Sequence, residues 1–184
     1  MLNKVDTEAL AGARDAIRET PAAGIATYGV NLAWQNGVRA NVSTLPMTLG
    51  GEEIPREFSW VVDEPPQLLG ESAGPTPQEY LMSGVGACIM VGFVVNASVK
   101  GVKINSLDVK ITGGLDLAGF LNLRDDAKVE MSGIKYEISV DADVDDTVLA
   151  EIEKAAVEFS PNAMTVARGI PLSGSVVQRD AKAA

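Results

Sequence analysis

The sequence contains no histidine, a single cysteine (Cys88) and few aromatic residues, 5% of its 184 residues. Without histidine, conventional histidine-based activation of a nucleophile is excluded, and so are zinc sites built on imidazole. One cysteine leaves no intramolecular disulfide and no multi-cysteine metal cluster, which suits a reducing compartment and points to the cytoplasm. Basic tracts are missing too. With a net charge of −10, the chain has little to offer nucleic-acid phosphates or an anionic membrane surface. The first nine residues lack the apolar core of a secretory signal. The glycine-rich stretches lack a phosphate-loop lysine pattern, and the acidic run 141–146 does not have EF-hand spacing. We therefore expect neither a cofactor nor a metal.

What is present is a long apolar run, residues 81–99, with Cys88 near its middle. Its length matches a bilayer span. Four small residues in its first half, Asn96 and Ser98 near its end, and the lack of flanking aromatic anchors favour instead a buried helix in a soluble protein. The chain has the length of one domain with a proper core.

Around this helix the pattern alternates between helix and strand signals. Residues 6–18 read as a polar amphipathic helix with acidic residues early and arginines late, complementing the helix dipole. Residues 26–33 alternate towards a strand, Asn36-Gly37 is a hairpin turn signal, and residues 38–44 return as the partner. Gly50 and Gly51 mark a turn before residues 56–63, where Phe58, Trp60 and Val62 share a face. Residues 64–77 form a proline-rich ordered loop of the kind that carries function. The central helix follows and ends at Lys100-Gly101. Strands are expected over 104–111 and 134–140, and 113–124 has no clear assignment. A second helix capped by Asp145 or Asp146 ends at Ser160-Pro161, and a closing strand runs over about 170–177. The order predicts an α+β fold with antiparallel sheet packed around central helices.

For chemistry, Cys88 is the candidate nucleophile, although free cysteine is most often a small buried hydrophobe. Burial raises a thiol's pKa, so a reactive Cys88 requires a cation nearby. In this chain that means arginine or lysine. Arg39, after the hairpin turn, and Arg56, at the head of the third strand, are the candidates, with Arg168 a weaker third. Glu79 is nine residues from Cys88, about 13.5 Å along a straight helix. It could serve a thiol only indirectly, by orienting an arginine or by crossing to a second subunit, and its simpler role is to complement the helix dipole.

Three segments resemble the OsmC/Ohr family of osmotically induced and organic-hydroperoxide-resistance proteins. They are residues 63–70 leading into 74–81 and Gly86-Ala-Cys88, then residues 114–121, then 159–161 through 169–172. The likeness covers about residues 28–177, leaving 1–24 as a helical extension and 25–184 as one domain. It implies an intertwined homodimer with sites at the subunit interface. It also implies a first cysteine that attacks a hydroperoxide, a second that closes a disulfide, and an arginine held by a glutamate. Cys88 matches the first cysteine. Ser160 occupies the second-cysteine position, Gln78 the usual glutamate position with Glu79 next to it, and Arg39 lies close to the arginine position. The implied activity is one-cysteine reduction of organic hydroperoxides resolved by an external thiol. The alternative is a non-enzymatic homodimer that binds an apolar small molecule at its interface while Cys88 is inert. In the peroxidase reading, the apolar wall around Leu81, Val85, Met90 and Phe93 is expected to favour organic over hydrogen peroxide.

Overall fold

The structure is a computed structural model that describes residues 1–178. Its N-terminal helix α1 (Thr7–Glu19) is capped by Asp6, whose carboxylate accepts the Ala9 N–H, and none of its residues is buried. Residues 26–33 do not form one continuous strand: β1 (Ala26–Thr27) and β2 (Val30–Asn36) are separated at Tyr28 and Gly29. Strand β3 (Arg39–Thr44) pairs antiparallel with β2 across a two-residue turn at Gly37-Val38, one residue later than the Asn36-Gly37 signal places it. Gly37 adopts φ 47° there, the left-handed conformation this turn demands. Strands β4 (Met47–Leu49) and β5 (Glu52–Ile54) turn at Gly50-Gly51 and join β1 in a small sheet. Strand β6 (Ser59–Val62) pairs with β3, giving the order β2-β3-β6.

The central helix α2 (Pro77–Val99) begins with a complete capping box. Thr76 accepts the Glu79 N–H through its hydroxyl, and Glu79 accepts the Thr76 N–H at 2.7 Å through its carboxylate. Pro77 sits at the first helical position, where its missing N–H costs nothing. The helix stops at Lys100, and Gly101 takes φ 76° as the chain turns into β7 (Ile104–Gly114). A one-turn helix α3 (Leu117–Phe120) interrupts the connection to β8 (Gly133–Ala142), which pairs antiparallel with β7 along its length.

Helix α4 (Asp146–Glu158) follows. Ser160-Pro161 ends it as expected but also starts another helix, α5 (Pro161–Arg168), with Ser160 as N-cap accepting the Ala163 N–H. Arg168 is thus the last residue of a helix, not a loop residue. The closing strand expected over 170–177 does not form. Residues 170–178 form no regular element and are unpaired, and Leu172 and Val176 are fully exposed. Their alternation is that of a strand, but in the single chain no neighbouring strand takes up their hydrogen bonds.

The core lies between α2, α4 and the β7–β8 sheet. Phe93, Ala97, Val102, Ile152 and Ala156 are buried together, with Leu107, Ile138 and Val140 packed against them. Burying a side chain such as Phe93 or Ile152 contributes about 1.5–3 kcal/mol. The small residues of α2 set how closely its neighbours approach. A methyl placed at Gly86 would lie 2.8 Å from Ile111 Cγ1, and one at Gly92 would lie 3.1 Å from the Ala156 carbonyl oxygen. Phe93 therefore belongs to this core and not to a ligand wall. The architecture is α+β with antiparallel sheets and a long central helix, as the sequence predicts.

Candidate functional site

Cys88 is half-buried, on the opposite side of α2 from Phe93 and Ala97. It shares one face of the helix with Leu81, Val91, Val95 and Val99, which recur at three-, four- and seven-residue spacing. Leu81, Val91 and Val99 are exposed at 46%, 63% and 52%. The thiol thus sits within an uncovered apolar stripe, so α2 is buried on one side and open on the other. It is the one helix among the described residues with the length and apolarity of a membrane span.

Ser160, the expected counterpart of a second cysteine, begins α5. Ser160 is 2% exposed, and two residues later Asn162 donates to the Gly84 carbonyl at 2.8 Å, four residues before Cys88. The start of α5 is therefore fixed against the turn of α2 that precedes the thiol.

The two arginines lie elsewhere in the single chain. Arg39 Nη2 donates to Asp63 at 3.3 Å and to the Glu71 carboxylate, while its Nε is buried without a partner. Arg56 places its guanidinium 4.7 Å from the centre of the Phe58 ring, a cation–π contact. Glu79 is engaged in the capping box, and neither arginine is held by it.

The acid that organises this region is Asp63, which the sequence marks only as the end of the strand over 56–63. It is 1% exposed, and its Oδ2 accepts from Arg39, from the Glu71 N–H at 3.1 Å and from the Ala73 N–H at 3.0 Å. These bonds hold its carboxyl at about 2, chiefly through the Ala73 N–H; burial opposes the shift, and the Glu64 and Glu71 N–H groups and Arg39 assist it. Its own N–H donates to the Pro75 carbonyl at 3.3 Å, and Tyr80 Oη donates to the Val61 carbonyl at 2.8 Å. The proline-rich loop is thereby closed at its base between β6 and α2. One signal in the sequence marked this residue: it is the first charged side chain after the apolar run Trp60-Val61-Val62, immediately ahead of a turn.

Next to it, Glu64 is in a poor environment. Its Oε2 is buried without a hydrogen-bond partner, and its pKa is raised, first by burial and then by the charges of Asp63 and Glu79. Because the folded-state pKa lies above the ordinary 4.5, the resulting destabilisation is absent below that ordinary value, grows as the pH rises through it and is complete above the raised one. Glu64→Gln is therefore expected to raise Tm by about 2–4 °C at pH 7.5 and to leave it unchanged at pH 4. Thermal unfolding at the two pH values checks this.

Comparison with protein families matches residues 70–174 to the OsmC-like protein model. Among solved structures, an OsmC-like protein from Mycoplasma pneumoniae superposes with a TM-score of 0.60 at 18% identity, covering 78% of this chain and 89% of that one. An organic hydroperoxide resistance protein OsmC from Legionella pneumophila gives a TM-score of 0.52 at 16% identity, covering 78% and 90%. An OsmC-like protein of unknown function from Vibrio cholerae gives 0.54 at 12% identity, covering 76% and 92%. Comparison with curated proteins finds no match. A family model spanning more than half of the chain, on a fold shared with those structures, shows that this protein belongs to the OsmC-like family.

Proposed function

We propose that this protein is a cytoplasmic, homodimeric, one-cysteine reductase of organic hydroperoxides in oxidative-stress defence. The observation that carries the reading is the position of Cys88, half-buried at the centre of the uncovered apolar stripe of α2. A second copy packed on that stripe would bury Leu81, Val91 and Val99 and enclose the thiol at an interface. The exposed side chains of Tyr28, Val30, Leu32 and Trp34 along the β1–β2 segment offer further apolar surface to such a partner.

In the proposed reaction the Cys88 thiolate attacks the terminal oxygen of the hydroperoxide. The O–O bond breaks, an S–O bond forms, and the alkoxide takes a proton and leaves as an alcohol. Sulfur is oxidised to the sulfenic acid and the peroxide is reduced. With Ser160 at the second-cysteine position, no intramolecular disulfide can follow. An external thiol attacks the sulfenate, releasing water and leaving a mixed disulfide, and a second thiol returns Cys88 to its reduced form. The contacts of Arg39 and Arg56 within one chain are with Asp63, Glu71 and Phe58. The guanidinium that stabilises the thiolate is accordingly delivered across the subunit interface, and Glu79 acts by orienting it.

The test is to treat the reduced protein with one equivalent of cumene hydroperoxide and trap the product with dimedone. The expected result is a single dimedone adduct at Cys88 by mass spectrometry, formed within seconds in the native protein. A Cys88 that gives no dimedone adduct after the hydroperoxide, and whose thiol reacts with alkylating reagents only after denaturation, would overturn the proposal.

A further inference from the structure

Next to the thiol, and sharing Leu81 with its stripe, α2 forms one wall of a cavity of about 720 Å³, open to solvent on one side and within the size range of small-molecule sites. Leu81, Val85 and Ile89 line it from α2, Ile134 from β8, and Met164 and Val166 from α5. The end of the β7–β8 connection, Val129 to Met131, contributes the remaining side. Cys88 is not among the lining residues, although Leu81 belongs both to this wall and to the stripe that carries the thiol. The cavity is built within a single chain.

The polar groups in its wall define what it accepts. The polar residues there are Gln78, the exposed Glu130 and Tyr136, whose hydroxyl is committed to Glu153. No lysine or arginine lines it, and the net charge of −10 adds a field unfavourable to anions. A ligand with a carboxylate or phosphate head would meet Glu130 without a cation to offset the repulsion. A head that donates a hydrogen bond has two acceptors available, the Glu130 carboxylate and the Gln78 carbonyl oxygen. The apolar walls supply the driving force for the body of the ligand.

We propose that this cavity binds an apolar molecule with an uncharged, hydrogen-bond-donating head, of the long-chain alcohol or aryl-amine type, and that it does so independently of Cys88.

The experiment uses the purified full chain and the neutral aryl amine N-phenyl-1-naphthylamine, which fluoresces in apolar sites. Saturable binding is expected, with displacement by dodecanol and at least about tenfold weaker displacement by dodecanoate at pH 8, a difference of 1.4 kcal/mol or more. Ala167 lines the cavity from the exposed side of α5, so Ala167→Phe fills the space with little risk to folding. It is expected to weaken probe binding at least about tenfold at an unchanged Tm. Glu130→Gln is expected to narrow the gap between dodecanol and dodecanoate. Cys88→Ser is expected to leave probe binding unchanged.

Absence of saturable binding, or binding unaffected by Ala167→Phe, would overturn the proposal. Equal displacement by alcohol and carboxylate would overturn the assigned head chemistry, and loss of binding in Cys88→Ser would overturn the independence from the thiol. The hydroperoxide reading is judged by dimedone trapping and peroxide consumption, so either proposal can fail while the other stands.

Discussion

Cys88→Ser is expected to reduce hydroperoxide consumption to the protein-free background while Tm stays within about 2 °C of the parent. Serine differs from cysteine by one atom, and the site is half-buried, so packing changes little. The chemistry changes completely, because a hydroxyl with no histidine in the chain has no conventional base to activate it. The parent protein adds a second, quantitative arm. Without a resolving cysteine, and with no thiol supplied, each chain should consume one equivalent of hydroperoxide and stop. Addition of dithiothreitol should convert that burst into continuous turnover. Consumption of cumene hydroperoxide followed with and without dithiothreitol reads both effects. Undiminished consumption by Cys88→Ser would eliminate the thiol mechanism.

Asp63→Ala is expected to be the most damaging substitution outside the apolar core, lowering Tm by about 5–10 °C. It removes the acceptor for two loop N–H groups and for Arg39 together, leaving buried donors without partners. Its signature should be a changed pH dependence. Because the folded-state carboxyl is held at about 2 against an ordinary 3.8, its contribution is complete above about 4 and disappears as the pH falls towards 2. The parent should therefore lose stability across that window more steeply than Asp63→Ala does. Urea unfolding between pH 2 and 5 measures the slopes, and parallel curves would show that Asp63 does not hold the loop.

Much of this was visible in the sequence wherever the determinants are local. Lys100-Gly101 carries its structural meaning within two residues, and α2 ends where it says. The Asn36-Gly37 signal finds the hairpin but falls one residue ahead of the turn at Gly37-Val38, and the equally local capping box of Thr76 and Glu79 goes beyond the dipole role expected of Glu79. Ser160-Pro161 was read as a stop, which it is. The serine that ends one helix is also the N-cap of the next, with the proline at its first position, and a two-residue signal contains both meanings. Alternation over 170–177 describes a strand-like pattern but says nothing of whether a partner strand exists. The partners of Arg39 were beyond the reach of spacing, since Asp63 is 24 residues away and Glu71 is 32. Only the folded β3–β6 pairing brings them together. Cys88 itself was legible as a residue, whereas its place on the open side of α2 needed the core to be known first.

The bonds at the base of the proline-rich loop have a consequence for how the region tolerates change. Asp63, Pro75, Val61 and Tyr80 tie strand to helix without using the residues between Pro66 and Gly70. The orientation of the thiol-bearing helix is thus inherited from the sheet, and the tip of the loop is mechanically idle. Closing a longer excursion over an already fixed base costs only about 0.6 kcal/mol for each doubling of its length. Insertions at that tip, including an affinity tag or a reporter peptide, should leave the thiol where it is, which makes the tip a natural handle on the protein.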